Sequence, residues 1–334
     1  MNNKAFPLRL LPDKVQLQVI KRFDYLQLIA FSFISTKTKA LVESFKIDII
    51  RLWVMVYKDS MCIDIMYNDF PYCSTFEIYD DKGNPGDPLI RMDHIQDNIE
   101  ISFGIPEFES HNNLTWLDPK LSFNQWFSHI RSLFQCDSYN ISFEADQEVF
   151  DTVAIPNLVP EWEIVAIRKG SSDYAKRIFE LFSLRTKKFF MSAENRLEFS
   201  QKVGIQNFDD LYFSDPFSLD DLLASNASEI TVHDFSISDI NRFLKLWIRG
   251  SKPRLRQVWM YLKEEEEEEQ EDAEIDENLI LKGIRHHVIP EDLERETNHS
   301  TIRGGFDIRN KKGSSATIEI KSGEMACVNL YVRD

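Results

Sequence analysis

From Phe6 to Phe45 the apolar residues recur at helical spacing in three short groups. Val15, Val19, Ile20 and Phe23 fall on one face of a first helix. Pro12 suits its first turn, where a missing N–H is no loss, and Asp13 places negative charge at the positive end of the helix dipole. Asp24 is a suitable cap for a second helix that carries Leu28, Ile29, Phe31 and Phe33. Lys37 and Lys39 open a third, short and basic, which carries Leu41 and Val42. Three short helices in about 40 residues cannot bury a core of their own. They must dock on the chain that follows or on another chain.

From Ile47 the period changes to two. Ile49, Leu52, Val54 and Val56 alternate imperfectly, and Ile63, Ile65 and Tyr67 oppose Cys62, Asp64 and Met66. Phe76–Tyr79 and Ile99–Phe103 are further strands, separated by the turn formers of 80–88. This stretch reads as a small antiparallel β region.

Beyond about Ser122 a helical segment precedes a short strand, again and again. Strand onsets fall near 141, 164, 189, 211, 230 and 258. A helix–strand unit with an irregular period of roughly 20–29 residues predicts a leucine-rich-repeat-like α/β solenoid, each unit burying its apolar face on the next. An ordinary α/β domain with a parallel sheet fits the same alternation. The acidic run after Lys263 interrupts it; as like charges repel, 263–278 reads as a solvated loop, or as a docking site for a basic partner. Phe306–Ile308, Ala316–Ile320 and Cys327–Val332 form a closing β meander. The expected organisation is 1–46 helical, 47–120 β-rich and 121–334 repeat-like.

Composition narrows the partners. The 334 residues are 43% hydrophobic, with 25 Phe, enough for a sizeable core. A net charge of −16 opposes a nucleic-acid backbone or an anionic membrane. The chain has no apolar run of membrane-span length, and MNNKAFPLRLLP lacks the apolar core of a signal peptide. Cys62, Cys73, Cys136 and Cys327 match no CxxC spacing, so reduced thiols in cytoplasm or nucleus are expected.

Two stretches carry a family resemblance. Phe6-Pro7-Leu8, Leu11-Pro12, Val15, Val19-Ile20, Leu28-Ile29, Ser32, Ser35 and Leu41-Val42 resemble an F-box of the nematode type. Lys37, Tyr25 and Thr38 depart from common F-box residues at their positions. The sequence N-R-F-L-K-x-W-x-x-G, Asn241 to Gly250, together with Leu219–Ala227 and Pro253-Arg254-Leu255, is similar to the F-box-associated domain that follows the F-box in those proteins. The first resemblance implies docking on the adaptor of a cullin–RING ubiquitin ligase through Leu11, Pro12, Val15, Val19, Ile20, Leu28 and Ile29. The second implies recruitment of a protein substrate. Together they cover nearly the whole chain and supply no catalytic residues.

No chemistry competes with that reading. His286-His287 are adjacent and so diverge, and Gly304-Gly305 is too short for a phosphate loop. No serine-hydrolase, zincin or kinase motif is present. The expectation is a non-catalytic substrate receptor without cofactor or metal; the rival is a repeat-based binding scaffold without ligase association. Strand alternation points Leu211, Phe213, Ile230, Val232, Val258 and Met260 inward. It leaves Tyr212, His233, Trp259 and Tyr261 outward as candidate substrate contacts, since aromatic residues dominate interface hot spots.

Overall fold

The computed structural model describes residues 11–58, 60–68, 73–79, 98–104, 112–117, 120–145, 150–191, 206–263, 275–297, 301–323 and 325–333. Phe6–Leu8 and 264–274 of the acidic run lie outside them. The chain divides into two compact units, Met1–Asn140 with Val149–Val159, and Ile141–Glu148 with Pro160–Asp334.

The first unit opens with helices α1 (Asp13–Ile20), α2 (Tyr25–Ser32) and α3 (Thr36–Glu43). Pro12 stands at the cap of α1, just outside the first turn. Asp24 with Gln27, and Ser35 with Thr38, form reciprocal capping boxes that satisfy the first N–H groups of α2 and α3. Strands β1 (Ile47–Val56), β2 (Ser60–Tyr67), β3 (Cys73–Tyr79), β4 (Asn98–Gly104) and β5 (Asn112–Leu117) pair antiparallel in sequence order. The imperfect alternation in β1 has a cause. The register slips between Ile49 and Arg51, so Ile49 and Leu52 both point inward although three residues apart. Helix α4 (Phe123–Leu133), capped by Ser122, follows, and then β6 (Phe134–Gln135), parallel to the start of β1.

The three N-terminal helices dock on this unit by stacked rings. Tyr25 lies on Tyr67 of β2, ring centroids 3.7 Å apart, and Phe33 packs on both Trp126 and His129 of α4. Ser32 Oγ donates to Ile29 O, so its contact with His129 Nε2 at 2.7 Å has the imidazole N–H as donor. Burial, with Lys39 nearby, lowers the His129 pKa to about 4, which holds the ring neutral.

The second unit is a mixed sheet. Its strands are β7 (Tyr139–Phe143, all but the first two residues in this unit), β8 (Trp162–Ile167), β9 (Thr186–Met191), β10 (Asp210–Pro216), β11 (Glu229–Phe235), β12 (Gln257–Leu262), β13 (His287–Glu296), β14 (Thr301–Arg309), β15 (Ser315–Lys321) and β16 (Cys327–Arg333). Their order is β7-β8-β9-β10-β11-β12-β16-β15-β14-β13. Helices α5 (Ser172–Phe182), α6 (Leu219–Ala224), α7 (Ile237–Ile248) and α8 (Glu277–Ile280) carry the apolar stripes. Ser236 caps α7, two residues before Ser238, and Gly250 ends it at φ +99°. Asn241 ties α7 to α8, its Nδ2 donating to Ile280 O at 2.6 Å and Lys282 O at 3.0 Å.

This architecture corrects the expected leucine-rich-repeat-like solenoid. Pairing is parallel from β8 through β12, and β16 then joins β12 antiparallel and begins the meander. The connection between β7 and β8, which the sequence reads as a loop, holds a 3-10 turn at Thr152–Asn157. Helix–strand alternation specifies parallel neighbours locally and is shared by both architectures. The expected closing meander is present, but its last strand, β16, lies beside β12, and that order was invisible to the alternation. Ile275, within the expected acidic loop, is buried, and its N–H reaches Ser322 Oγ at 3.3 Å.

Gly304 and Gly305 belong to β14. A Cβ on Gly305 would stand 2.5 Å from Ile318 O, whereas one on Gly313 would meet nothing within 4 Å; their φ values, +99° and +100°, are matched. Gly313→Ala is therefore expected to cost about 1–2 kcal/mol of backbone strain, and Gly305→Ala about 1–3 kcal/mol more for the clash. Urea unfolding of the two variants reads the difference; equal losses would show that β15 yields freely.

His129 sets a second expectation. Its folded pKa lies below the ordinary 6.5, so the unfolded chain binds a proton first as pH falls. Its contribution is full above about pH 6.5 and is lost progressively toward pH 4. Asp64, pushed up to about 6 by burial, works in the opposite direction. The informative comparison is thus wild type against His129→Gln between about pH 7 and pH 5, where the variant's thermal midpoint should fall less. Parallel curves would show that the ring is solvated.

Candidate functional surfaces

The residues implied as adaptor contacts divide into two sets. Ile20 and Ile29 are fully buried and Leu28 is 6% exposed, packed in the first unit along with Val42 of α3. Leu11 and Val19 are half-buried, Pro12 is exposed and Val15 is 40% exposed. Gln16 Nε2 holds the Leu11 carbonyl at 2.6 Å, which fixes the entry into α1. Ile34, between α2 and α3, is 60% exposed and was missed because helical spacing gave it no partner. The helices thus use one side for their own core and leave Leu11, Pro12, Val15 and Val19 toward the other.

Tyr212, His233, Trp259 and Tyr261 are all half-buried and lie on one face of the second unit's sheet. Leu211, Phe213, Ile230, Val232, Val258 and Met260 are buried on the opposite face. Thr231 pairs with both Tyr212 and Trp259, so the outward residues share one register across β10, β11 and β12. Their rings form a row. Phe190 of β9 meets Tyr212 edge-on at 5.8 Å, Tyr212 meets His233 at 5.6 Å, and His233 stacks on Tyr261 at 4.5 Å. Trp259 meets Tyr331 of β16 edge-on at 6.5 Å.

Burial lowers the His233 pKa, opposed in part by Asp234, and its Nε2 is enclosed without a hydrogen-bond partner. Gln257 Nε2 and Asn329 Oδ1, on the same face, are enclosed and unpartnered too. Beside them Asn329 Nδ2 and Tyr331 OH both donate to Glu319 Oε2 at 3.0 Å. Asn329, Tyr331 and Glu319 were missed because no sequence signal places β16 and β15 next to β12.

Other chemistry is dispersed. A polar groove of about 820 Å³ in the first unit includes Asp48, Asn68, Arg131, Asp137 and Tyr139 in its lining and none of the residues above. Its Arg131 is committed to Leu158 O at 2.8 Å and lies over the Tyr139 ring. His286 and His287 are both exposed. Among the described residues no three His, Cys, Asp or Glu side chains gather as a metal site would require. No helix among them is long and apolar enough to cross a membrane.

Comparison with known proteins finds two families. Residues 8–50 match the F-box domain, and residues 200–260 match the family described as F-box associated. No curated protein and no solved structure matches the chain. The first match spans α1 to α3 and the start of β1; the second spans β10 to β12 with α6 and α7. The chain carries an N-terminal F-box domain and, behind it, an F-box-associated domain.

Proposed function

We propose that this chain is the substrate-receptor subunit of a cullin–RING ubiquitin ligase, of the nematode F-box type. The observation that carries the reading is the pairing of the two domains in one chain. Such pairs are typical of non-catalytic receptors. The F-box would hold the adaptor, and through it the cullin. The aromatic face of the second unit would hold a protein substrate. Enclosed polar atoms without partners cost roughly 1–3 kcal/mol each, so His233, Gln257 and Asn329 favour a face completed by a partner's hydrogen bonds. Cys62, Cys136 and Cys327 stand as thiols, which fits work in the cytoplasm, the nucleus or both.

Burial favours Leu11, Pro12, Val15 and Val19 as the proposed adaptor contacts, with Ile20, Leu28 and Ile29 as their support. A Leu11→Ala, Val15→Ala variant should fold as wild type and bind purified adaptor about 10- to 100-fold more weakly. Ile20→Ala should instead lose about 2–5 kcal/mol of stability. Adaptor affinity unchanged in the double variant, measured by calorimetry, would leave a binding protein without ligase association.

The aromatic row generates a separate expectation. Trp259→Ala, Tyr261→Ala should keep the fold and the adaptor while losing substrate proteins that wild type ubiquitinates in a reconstituted ligase. An unaltered substrate set would remove this face from recognition.

A further inference from the structure

The corner between α7 and β12 and the turn between β14 and β15 meet at one rim of the second unit. Lys311 N donates to Ile248 O at 2.8 Å. The Lys312 side chain lies against Gly250, where an added Cβ would stand 3.1 Å from its Cε. Val332 N donates to Arg256 O at 2.7 Å, closing the corner onto β16. These contacts gather Arg249, Lys252, Arg254, Arg256, Lys311 and Lys312, in a chain whose net charge is −16.

Five of the six are exposed, and Lys252 is 8% exposed. Among the described residues, none of the six stands within salt-bridge distance of a carboxylate. Lys252 Nζ is enclosed with no hydrogen-bond partner. Burial lowers its pKa to about 8, so at neutral pH it remains mostly an ammonium. An enclosed charge without a counter-ion is costly, and its field is poorly screened by water. Acids follow on the β11 side, where Arg256 N donates to Ser228 O and the next residue, Glu229, donates its N–H to Asp209 O.

We propose that this rim docks an acidic, Asp- and Glu-rich segment of a partner protein. The cations are spread over two chain segments and mostly exposed. Carboxylates spaced along an extended segment match that spread better than one compact anion does. Nucleic acid fits less well. The two segments, 249–256 and 309–314, hold no aromatic residue on which a base could stack. A long polyanion would also meet the net negative field of the remaining chain. A short acidic segment avoids most of that repulsion, because charges more than about 8 Å apart are screened at physiological salt. The receptor reading would make that partner a substrate; the docking itself does not depend on it and is measured without adaptor.

The test uses the full chain and a short fluorescent Glu-Gly peptide, with a Lys-Gly peptide and a single-stranded oligonucleotide as probes in parallel. Fluorescence anisotropy should show binding of the acidic peptide alone, weakening at least about tenfold between roughly 50 and 200 mM salt. Arg254→Glu, Lys312→Glu should weaken it by about tenfold or more while circular dichroism is unchanged. Lys252→Met, which removes the buried charge and keeps the volume, should weaken it several-fold. Absence of acidic-peptide binding, affinity unaffected by the charge reversal, or tighter binding of the oligonucleotide would each overturn the proposal. Adaptor capture, assayed separately on the same proteins, should be intact in the charge-reversed variant. Its failure in wild type would count against the receptor reading and not against the rim.

Discussion

One row of side chains organises the second unit. Val165, Phe189, Leu211, Ile230, Val258, Leu330 and Ile318 stand in register across seven neighbouring strands, and every one is fully buried. A shift of one residue in any strand would turn its core face to the outside. The row runs from parallel strands into antiparallel ones without a break, so the apolar face is a property of the whole sheet. Phe179 of α5, edge-on to Phe189 at 5.4 Å, packs directly on it. The outward positions inherit their order from the same constraint. Tyr212, Thr231, Trp259 and Asn329 align because their inward neighbours do.

That constraint explains what could be read from residues alone. Strand starts expected near 164, 189, 211, 230 and 258 lie within three residues of those observed, since each strand carries its own alternation. The inward set from Leu211 to Met260 follows for the same reason. Connectivity was another matter. A helix followed by a strand says the next strand is parallel and adjacent. It says nothing of what lies beyond the last one, so the arrival of β16 beside β12 could not be anticipated. The candidate face was half-seen on this account. Tyr212, His233, Trp259 and Tyr261 were legible from alternation, while Asn329, Tyr331 and Glu319 come from strands whose neighbours only the folded chain reveals.

The F-box helices show the opposite limit. Their caps and stripes were local, and Asp24 caps α2 as the sequence implied. The partner of Ser32 lies 97 residues away at His129, and Tyr25 finds Tyr67 on another strand. No spacing rule links such positions. Tyr25, which departs from the common F-box residue at its position, is the ring that stacks on the sheet, so the departure has a local structural use.

The two sides of these helices are coupled physically. A short helix is marginal in water, and a surface that had to order itself on binding would lose affinity to that cost. Here Ile20, Leu28 and Ile29 draw α1 and α2 into a core, while the Phe33–His129 stack and the Ser32 hydrogen bond fasten α2 to α4. Leu11, Pro12, Val15 and Val19 are thereby held in place before any partner arrives. Apolar positions that look alike in the sequence therefore divide by burial into those that hold the helices together and those left open, which would form the proposed adaptor surface. The same division decides what a substitution does, since removing a support residue unfolds the platform and removing an open one changes only its contacts.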